Sequence, residues 1–391
     1  MARADGVEGR MARADGVEGR MARADGVEGR MTRADRVEGR MAWPDRVGGR
    51  RKPAGWKVLV GLAGLLLLAG GCTAVSEIGP ETAAGPGCGA ATATLKTEDV
   101  TPLDPRPTPK LPATVDSADG REVTVTSADR ILAVNLYGSL AELVFSLGLG
   151  DRVIGRDTST TFPAAAGLPL VTPQGHDLSA EAMLDLNPTV LIADASIGPP
   201  KVLDQVRAAG IPVVIVDDEQ TLQAVPRHVR AVAAALGVPE AGERLVTRVQ
   251  SEIDTARASA PKSGTAPRIA FLYVRGTAGV FLIGGRGAGS DAMIEAIGAV
   301  DAGSAIGLKK FRPLTSEGLI NAAPEVILVM TEGLTSVGGV DGLLKLPGVA
   351  QTPAGANRRI VDMDDGILLN FGGRTGQAVA ALAEAVYGPC R

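Results

Sequence analysis

The chain contains very little histidine, cysteine and aromatic residue, and these shortages exclude several classes of protein. Two histidines and three cysteines in 391 residues are too few for zinc capture, because zinc sites take four ligands and commonly several histidines. No G-x-S-x-G sequence is present and no cysteine stands beside a histidine, so we expect no enzyme. The glycine-rich stretch FLIGGRGAGSD lacks the Lys-Ser/Thr ending of a phosphate loop, and we interpret it as a turn.

Positive charge is scarce outside the first part of the chain. Residues 1–71 carry 14 Lys+Arg and 9 Asp+Glu, whereas the remainder carries 26 and 35, a net charge of −9. Nucleic-acid binding needs concentrated positive charge against the phosphates. We therefore expect no nucleic-acid partner.

The first 71 residues are predicted to be a repeat leader followed by a signal peptide. Residues 1–50 are five copies of a ten-residue unit, MARADGVEGR in the first three. The unit is too polar to bury a face, so we place residues 1–40 outside the fold and the start of translation at Met41. Beyond Met41, basic residues precede the apolar run VLVGLAGLLLLAGGC, which is typical of a secretion signal. This run is short for a membrane span, which needs about 20 apolar residues.

The apolar run ends in Ala-Gly-Gly-Cys, which resembles the bacterial lipobox. In that motif the cysteine becomes the lipidated first residue of the mature protein, so Cys72 is expected to tether the chain to a membrane surface. The other cysteines, Cys88 and Cys390, are too few for a disulfide scaffold, and their pairing is left open. Residues 72–120, rich in Gly, Ala, Pro and Thr, are predicted to be a lipidated, semi-extended tether.

Two blocks of alternating strand and helix patterns follow the tether. Residues 121–238 form the first block, with runs such as ILAVN, and residues 262–391 form the second, with runs such as PRIAFLYVRG. Residues 239–261 between them have the pattern of one long helix. This rhythm predicts parallel sheets with helices on both faces and ligand loops at the carboxyl ends of the strands. The predicted fold is α/β, with two Rossmann-like lobes bridged by one long helix.

The two blocks contain an internal echo. LSAEAMLDLNPTVLI (178–192) and LTSEGLINAAPEVIL (314–328) share a leucine, a Ser/Thr cap, a glutamate two residues later, a proline and an apolar strand. Glu181 and Glu317 would lie in the first turns of their helices, where the helix dipole favours an acidic side chain. The dipole explains why a glutamate is tolerated there, but explains less well why each lobe has one at the equivalent place.

Together these features resemble the substrate-binding proteins of ABC importers for iron chelates, cobalamin and haem. The resemblance rests on the two lobes, the single connecting helix, the lipobox and the paired L-[ST]-x-E motifs, and it is closest to the haem-binding lipoproteins of bacterial haem importers. It covers the chain from Arg130 onward, and its most specific stretches are TPQGHDLSAE and FLYVRG. It implies a class III periplasmic-binding-protein fold, with haem as transported ligand rather than catalytic cofactor. It also implies a lipid-anchored monomer on the extracytoplasmic face of the cell membrane, which delivers haem to a permease with a cytoplasmic ATPase.

The same resemblance implies how haem is held. In that family a histidine of the first lobe and a tyrosine of the second bind the haem iron from opposite sides, and the matching positions are His176 and Tyr273. Arg275 matches an arginine that contacts the tyrosine oxygen. Histidine and tyrosine are both known haem ligands, and strand residues two apart face the same way. Tyr137, just after the first strand, is a further candidate for the cleft lining.

Two arginines are predicted to contact the haem propionates. Arg312 occupies the place in the second repeat that His176 occupies in the first. Arg374 lies at the start of the last predicted helix, where the backbone also favours anions. A solvated surface position is the alternative for each.

The broader group implies a docking role for Glu181 and Glu317, whose counterparts bind arginines of the permease. The same fold could instead hold a ferric siderophore or a corrinoid, but such chelators saturate their metal and need no protein ligand. The pair His176 and Tyr273 therefore favours haem. His228, in a helical stretch, and Tyr387, near the chain end, fit structural roles.

Overall fold

Two large β-sheets flanked by helices form the framework of the protein, and a third sheet has only two strands. The computed structural model describes residues 89–260 and 266–388. The predicted leader and signal peptide, and the cysteines Cys72, Cys88 and Cys390, lie outside the described residues.

The described strands are short and distributed along the whole of that range. They are β1 (Ala91–Ala93), β2 (Ala113–Asp116), β3 (Glu122–Val125), β4 (Ile131–Val134), β5 (Val153–Gly155), β6 (Val190–Asp194), β7 (Val213–Val216), β8 (Arg268–Arg275), β9 (Val280–Gly284), β10 (Val300–Asp301), β11 (Phe311–Pro313), β12 (Val326–Met330) and β13 (Ile360–Met363).

The described α-helices all follow β4. They are α1 (Ser139–Ser146), α2 (Ala180–Asp185), α3 (Pro200–Ala208), α4 (Val225–Ala235), α5 (Pro239–Ser259), α6 (Ser290–Ala296), α7 (Ala302–Ala305), α8 (Ser316–Ala322), α9 (Thr331–Ser336), α10 (Gly339–Leu343), α11 (Pro353–Ala356), α12 (Asp365–Leu368) and α13 (Thr375–Tyr387). Short 3-10 helices lie at Gly150–Arg152, Pro163–Ala165 and Gly276–Ala278.

The first lobe is built on a four-stranded parallel sheet of order β5-β4-β6-β7. Every residue of β4 and β6 is buried, as expected for parallel strands that helices cover on both faces. The carboxyl ends of the four strands therefore meet at one edge of the sheet, where ligand-binding loops of α/β folds lie.

The second lobe is built on a larger sheet of order β1-β13-β12-β8-β9-β11, with β10 paired to β8. Its pairs are parallel except that β9 runs antiparallel to both β8 and β11. The alternating sequence pattern did not predict this reversal. It arises because only the short turn at Gly276–Gly279 separates β8 from β9, and a parallel connection needs a crossover of a dozen or more residues.

The predicted bridging helix is present as α5, with Pro239 in its first turn. It packs against α4 of the first lobe and α13 of the second. Glycine permits a close approach on both sides, because a Cβ at Gly242 would lie 2.6 Å from Ala233 and one at Gly376 would collide with Glu252. The predicted α/β architecture of two lobes and one long helix is confirmed.

One apolar core continues from the first lobe past α5 into the second. It includes Ile131 of β4, Leu245 of α5 and Phe271 of β8, all fully buried. No helix in the described ranges is long and apolar enough to cross a membrane.

The tether prediction is wrong from Gly89 onward, because this segment belongs to the fold. Strand β1 pairs with β13 of the second lobe. Leu103 donates its N–H to the Ser146 carbonyl at 2.9 Å, and Lys110 donates to the Gly237 carbonyl at 2.8 Å. The segment crosses the surfaces of helices through such isolated backbone bonds. It therefore lacks the periodic pattern by which a packed element is found in a sequence.

The internal echo corresponds to a repeated piece of structure, α2–β6 and α8–β12. The side chain of Ser179 accepts the Ala182 N–H at the start of α2, and that of Thr315 accepts the Gly318 N–H at the start of α8. This is N-capping, which satisfies a backbone donor that the helix itself cannot.

The two helices also end alike. Asn187 and Ala323 both adopt the left-handed conformation, with φ of 47° and 43°. Arg130 donates to the carbonyl of Leu186 after α2, and Arg268 donates to that of Ala322 at the end of α8. Each arginine directly precedes or begins a central strand, so the same side-chain bond ties helix to sheet in both lobes.

Candidate ligand-binding site

His176 lies at the tip of a tight turn, Gln174–Asp177, whose ends are bridged to each other. Gly175 makes the turn possible because its φ of 84° is unfavourable for other residues. Thr158 Oγ donates to the Gly175 carbonyl at 2.7 Å, and Asp177 bridges to Gly198. The imidazole is exposed, so the loop is fixed while its histidine side chain is accessible to a ligand.

A buried carboxylate organises the segment that holds this turn. Asp157, directly after β5, accepts the N–H and hydroxyl of Thr160 at 2.8 and 3.0 Å. Its other oxygen accepts the Asn135 N–H at 3.0 Å. Burial raises the pKa of Asp157 to about 6, against the opposing effect of these bonds. Because Thr158 lies inside the loop closed by Asp157, the carboxylate positions the His176 turn indirectly.

Tyr137 connects the first lobe to the tyrosine of the second. Its carbonyl accepts a hydrogen bond from Asn370 Nδ2 of the second lobe at 3.1 Å. Burial raises the pKa of Tyr137, and the nearby acidic groups of Asp194, Asp218 and Tyr273 raise it further. The Tyr137 side chain therefore lies within electrostatic range of Tyr273, another side chain that the sequence proposed for the cleft.

Tyr273 is part of a small aromatic group in a chain with few aromatic residues. Its ring lies 6.0 Å from that of Phe311, at an interplanar angle of 60°, and Phe311 also meets Phe271 edge-on. Such edge-to-face contacts stabilise a ring in one orientation. Phe311 was not predicted, because a lone aromatic residue in an exposed stretch gives no sequence signal.

Arg275 lies beside Tyr273, as the two-residue spacing predicted. Its guanidinium carbon is 4.7 Å from the centroid of the Tyr273 ring, and Nη2 donates to Asp365 at 2.5 Å. Asp365 in turn accepts the Glu332 N–H at 2.9 Å. The guanidinium is thus held over the ring, while its contact with the tyrosine oxygen stays a prediction.

Asp365 is a site residue that the sequence analysis missed. Burial raises its pKa, and the neighbouring guanidinium of Arg275 lowers it. Its position shortly after β13, in the run VDMDDG, was the available signal, since polar residues at the carboxyl ends of strands face the ligand edge.

The predicted propionate role of Arg374 does not fit the structure. The Arg374 side chain is 6% exposed and forms an ion pair with Glu142 of α1 at 2.8 Å. Its backbone N–H also donates to Glu142, and Nη1 donates to the Glu98 carbonyl. The arginine is therefore fully engaged in joining the two lobes, because Glu142 belongs to the first and Arg374 to the second.

The register of the sheet also argues against the propionate role of Arg312. Arg312 in β11 pairs with Ile283, which pairs with Leu272 of β8. Paired residues leave a sheet on the same face, and neighbours along a strand leave on opposite faces. The Arg312 side chain therefore leaves on the face opposite to Tyr273.

Both predicted docking glutamates lie in the first turns of their helices and are exposed. The capping bonds come from Ser179 and Thr315 instead, so the carboxylates of Glu181 and Glu317 are not needed to cap the helices. Neither makes an ion pair within the described residues.

The remaining histidine and tyrosine have structural positions, as predicted. His228 is buried on α4, with Nε2 3.3 Å from Asp217. Tyr387 is the last residue of α13 and packs against the core. Among the residues that the structure describes, no group of three or more His, Cys, Asp or Glu could hold a metal ion.

Solved structures include a close structural match. The crystal structure of the haem-binding protein HmuT superposes with a TM-score of 0.73 and is 38% identical, covering 77% of this chain and 98% of that one. HmuT has also been solved with an arginine, a histidine or a tyrosine replaced by alanine. The replaced arginine lies two residues after the replaced tyrosine, which is the spacing of Tyr273 and Arg275.

Two further relatives match the chain at lower sequence identity than HmuT does. An uncharacterised ABC transporter substrate-binding lipoprotein of Bacillus subtilis (strain 168), YvrC, is 25% identical over 280 residues, 71% of this chain and 86% of the relative. A vitamin B12-binding protein of Pectobacterium carotovorum is 27% identical over 124 residues, which cover 45% of that protein.

The family-level comparison agrees with the architecture of two α/β lobes and one bridging helix. The model of the periplasmic binding protein family matches residues 134–366. This match spans the ligand edge of both lobes and more than half of the chain. The chain therefore belongs to the periplasmic binding protein family.

Proposed function

We propose that this protein captures ferric haem between its two lobes and delivers it to the permease of an ABC importer. His176 and Tyr273 serve as the axial ligands of the iron. The observation that carries the proposal is the presence of a fixed, exposed histidine turn in one lobe and of an arginine-supported tyrosine in the other. The likeness to the haem-binding protein HmuT, at 38% identity, supports haem as the ligand.

The second lobe supplies a tyrosine environment suited to ferric iron. Phe311 fixes the orientation of the Tyr273 ring, and the guanidinium of Arg275 places positive charge over it. Positive charge there would stabilise the negative charge on a tyrosine oxygen that binds iron. Asp365 keeps the guanidinium in place, so the charge is positioned before the ligand arrives.

The first lobe supplies an exposed imidazole on a rigid support. The hydrogen bond from Thr158 and the bridge to Gly198 hold the turn, so little conformational freedom is lost when the histidine binds. Tyr137 is proposed to line the cleft and to offer an aromatic surface to the porphyrin.

A titration with haemin tests this assignment. The unaltered protein should develop a sharp haem-protein absorption band, and His176→Ala and Tyr273→Ala should each alter its position or intensity. Tyr387→Phe is the matched control, because it changes a tyrosine outside the site. Unchanged spectra in both site variants would remove the assignment.

A corrinoid is the serious rival, since relatives that bind vitamin B12 match part of the chain. A corrinoid or siderophore brings its own metal ligands, so its binding should not depend on His176 or Tyr273. Titration with cyanocobalamin distinguishes the two cases. Tight binding that survives both alanine substitutions would favour the rival ligand.

Delivery is proposed to use Glu181 and Glu317 as contacts with permease arginines. Charge-assisted pairs of this kind favour the rate and orientation of docking more than raw affinity. The double variant Glu181→Ala, Glu317→Ala should largely abolish haem uptake by cells while the purified protein still binds haemin. Glu122→Ala, an exposed glutamate on β3, is the control. Normal uptake by the double variant would leave the glutamates as helix-start residues only.

The protein is proposed to act from the extracytoplasmic face of the membrane through a lipid on Cys72. Relationship to a substrate-binding lipoprotein supports this location. Cys72→Ser should move the protein from the membrane fraction to the soluble fraction. Retention of that variant in the membrane would contradict the anchor.

A further inference from the structure

Helix α8 carries an exposed apolar residue close to the proposed docking glutamate. Ile320 is 46% exposed, more than the other two exposed large hydrophobic side chains among the described residues, Leu170 and Val300. It lies three residues after Glu317 on the same helix. Residues three and four apart are neighbours on a helix surface, so Glu317, Ile320 and Asn321 form one outward face.

The surface around Ile320 is concave. A shallow depression there is lined by Thr315, Ser316, Glu317, Gly318, Ile320 and Asn321. The neighbouring loop lies close against it, since a Cβ on Gly348 would be 2.7 Å from the Cα of Ser316. An apolar side chain at the edge of a depression beside an exposed carboxylate is suited to a partner that offers both an apolar group and a cation.

The equivalent helix of the first lobe has a different surface. The internal repeat aligns Leu184 with Ile320 and Asp185 with Asn321. Leu184 is partly buried and Asp185 is exposed. The outward face of α2 therefore carries two carboxylates, Glu181 and Asp185, where that of α8 carries one carboxylate and one isoleucine.

We propose that Ile320 and Glu317 form a mixed apolar and acidic contact for the permease, so that the permease meets two chemically different docking helices. This inference rests on the proposed docking role of the glutamates and adds the nature of the contact on each lobe. The contact of the first lobe is mainly electrostatic, and that of the second has a larger apolar part. The salt dependence of docking distinguishes the two kinds of contact, because ions screen charge pairs on the surface but not apolar contacts.

The test measures docking of the full lipidated protein to its permease–ATPase complex in nanodiscs. Affinity is determined at about 50 mM and about 500 mM salt. Ile320→Ser should weaken docking about fivefold at both salt concentrations, because the complex would lose the burial of an isoleucine side chain. Glu181→Gln and Glu317→Gln should weaken docking at low salt and reduce its salt dependence.

The control is Val300→Ser, which changes an exposed aliphatic residue that pairs with Arg268 at the start of β8, at the other end of the strand from Arg275. Docking of Ile320→Ser at the unaltered affinity, with both glutamine variants weakened, overturns the apolar contact and leaves the docking role of the glutamates standing. Unaltered docking by all three variants overturns both.

Two further measurements examine the ligand site and self-association. Haemin spectra of Ile320→Ser show whether the ligand site is intact, and a failure of haem binding in every protein would concern the proposed ligand alone. Sedimentation of the unaltered protein and of Ile320→Ser shows whether Ile320 joins two copies of this chain. A dimer that the substitution converts to a monomer would overturn the permease contact.

Discussion

The units α2–β6 and α8–β12 have similar backbone conformations but follow segments with different side chains. Both begin with a Ser or Thr cap, end in a left-handed residue, and lead through a proline into a fully buried strand. What precedes the helix differs: a tight turn presents His176 in the first lobe, whereas the edge strand β11 presents Phe311 and Arg312 in the second. Equivalent helices thus follow segments of unlike conformation.

This difference bears on the prediction for Arg312, which the register of the sheet disfavours. Arg312 occupies the place of His176 by counting along the chain, but it lies in a strand rather than at the tip of a turn. In a strand, the pleat decides which face a side chain occupies. Two positions that match in a sequence repeat therefore direct their side chains alike only where the local backbone conformation also repeats.

The largest change in stability is expected from breaking the ion pair that joins the two lobes. Arg374→Ala should lower the free energy of unfolding by about 3–5 kcal/mol, because it leaves the buried carboxylate of Glu142 without its cation. Denaturant unfolding measures this change. The double substitution Glu142→Leu, Arg374→Met should recover much of the loss, since it removes both charges. Additive losses in the double variant would show that the pair does not act as a unit.

The next largest effect is a pH dependence of stability that arises from the buried carboxylate of Asp157 in the first lobe. Its pKa of about 6 in the folded protein lies above the ordinary 3.8, so the folded state holds the proton more tightly. The stability that this provides is fully present below about pH 4 and is lost as pH rises through about 6, roughly 3 kcal/mol in all.

Asp157→Asn should remove this dependence. Unfolding free energies measured between about pH 4 and about pH 7 should rise on acidification by roughly 3 kcal/mol more in the unaltered protein than in the variant. All other titrating groups are common to both proteins and cancel in the comparison. Parallel pH profiles would show that Asp157 titrates normally.

A smaller effect tests whether the two helix starts are equivalent. Ser179→Ala and Thr315→Ala should each lower the free energy of unfolding by about 1 kcal/mol, because each leaves one backbone N–H without its acceptor. Thermal unfolding of the two variants measures both on one scale. A loss confined to one of them would mean that the two units differ in more than their ligand segments.

The smallest effect distinguishes the two helix ends. Ala323→Gly should stabilise the protein by about 0.5–1 kcal/mol, because alanine is strained at a φ of 43°. Asn187→Gly should change stability by much less, since asparagine tolerates the left-handed conformation. The same unfolding measurement compares them, and an equal gain at both positions would contradict this account of the strain.

The regular part of the fold was predictable from sequence because its signals are local. The pattern from Pro239 gave α5, and the capped helix before each buried strand gave α2–β6 and α8–β12. Apolar periodicity, Ser/Thr caps and proline act over a few residues, so one sequence is enough to recognise them. The positions of Tyr273 and Arg275 on one strand face followed in the same way.

The contacts between distant segments were not predictable in this way. The ion pair of Arg374 with Glu142 joins residues far apart in the chain, and the bond of Arg275 with Asp365 does the same. The segment from Gly89 to β2 packs through single backbone bonds, which leave no period in the sequence. Arg374 was predicted to contact the propionates because of its position at a helix start. Only the tertiary fold shows that its side chain is already paired with the buried carboxylate of Glu142.

The proposed function depends most on one feature of the site, which is that unlike segments of the two lobes bind one haem iron. A crystal structure of the haem-loaded protein tests it directly. We expect iron bonded to an imidazole nitrogen of His176 on one side and to the phenolate oxygen of Tyr273 on the other, with Arg275 still paired to Asp365. Haem held in the cleft with its iron bonded to neither side chain would contradict it.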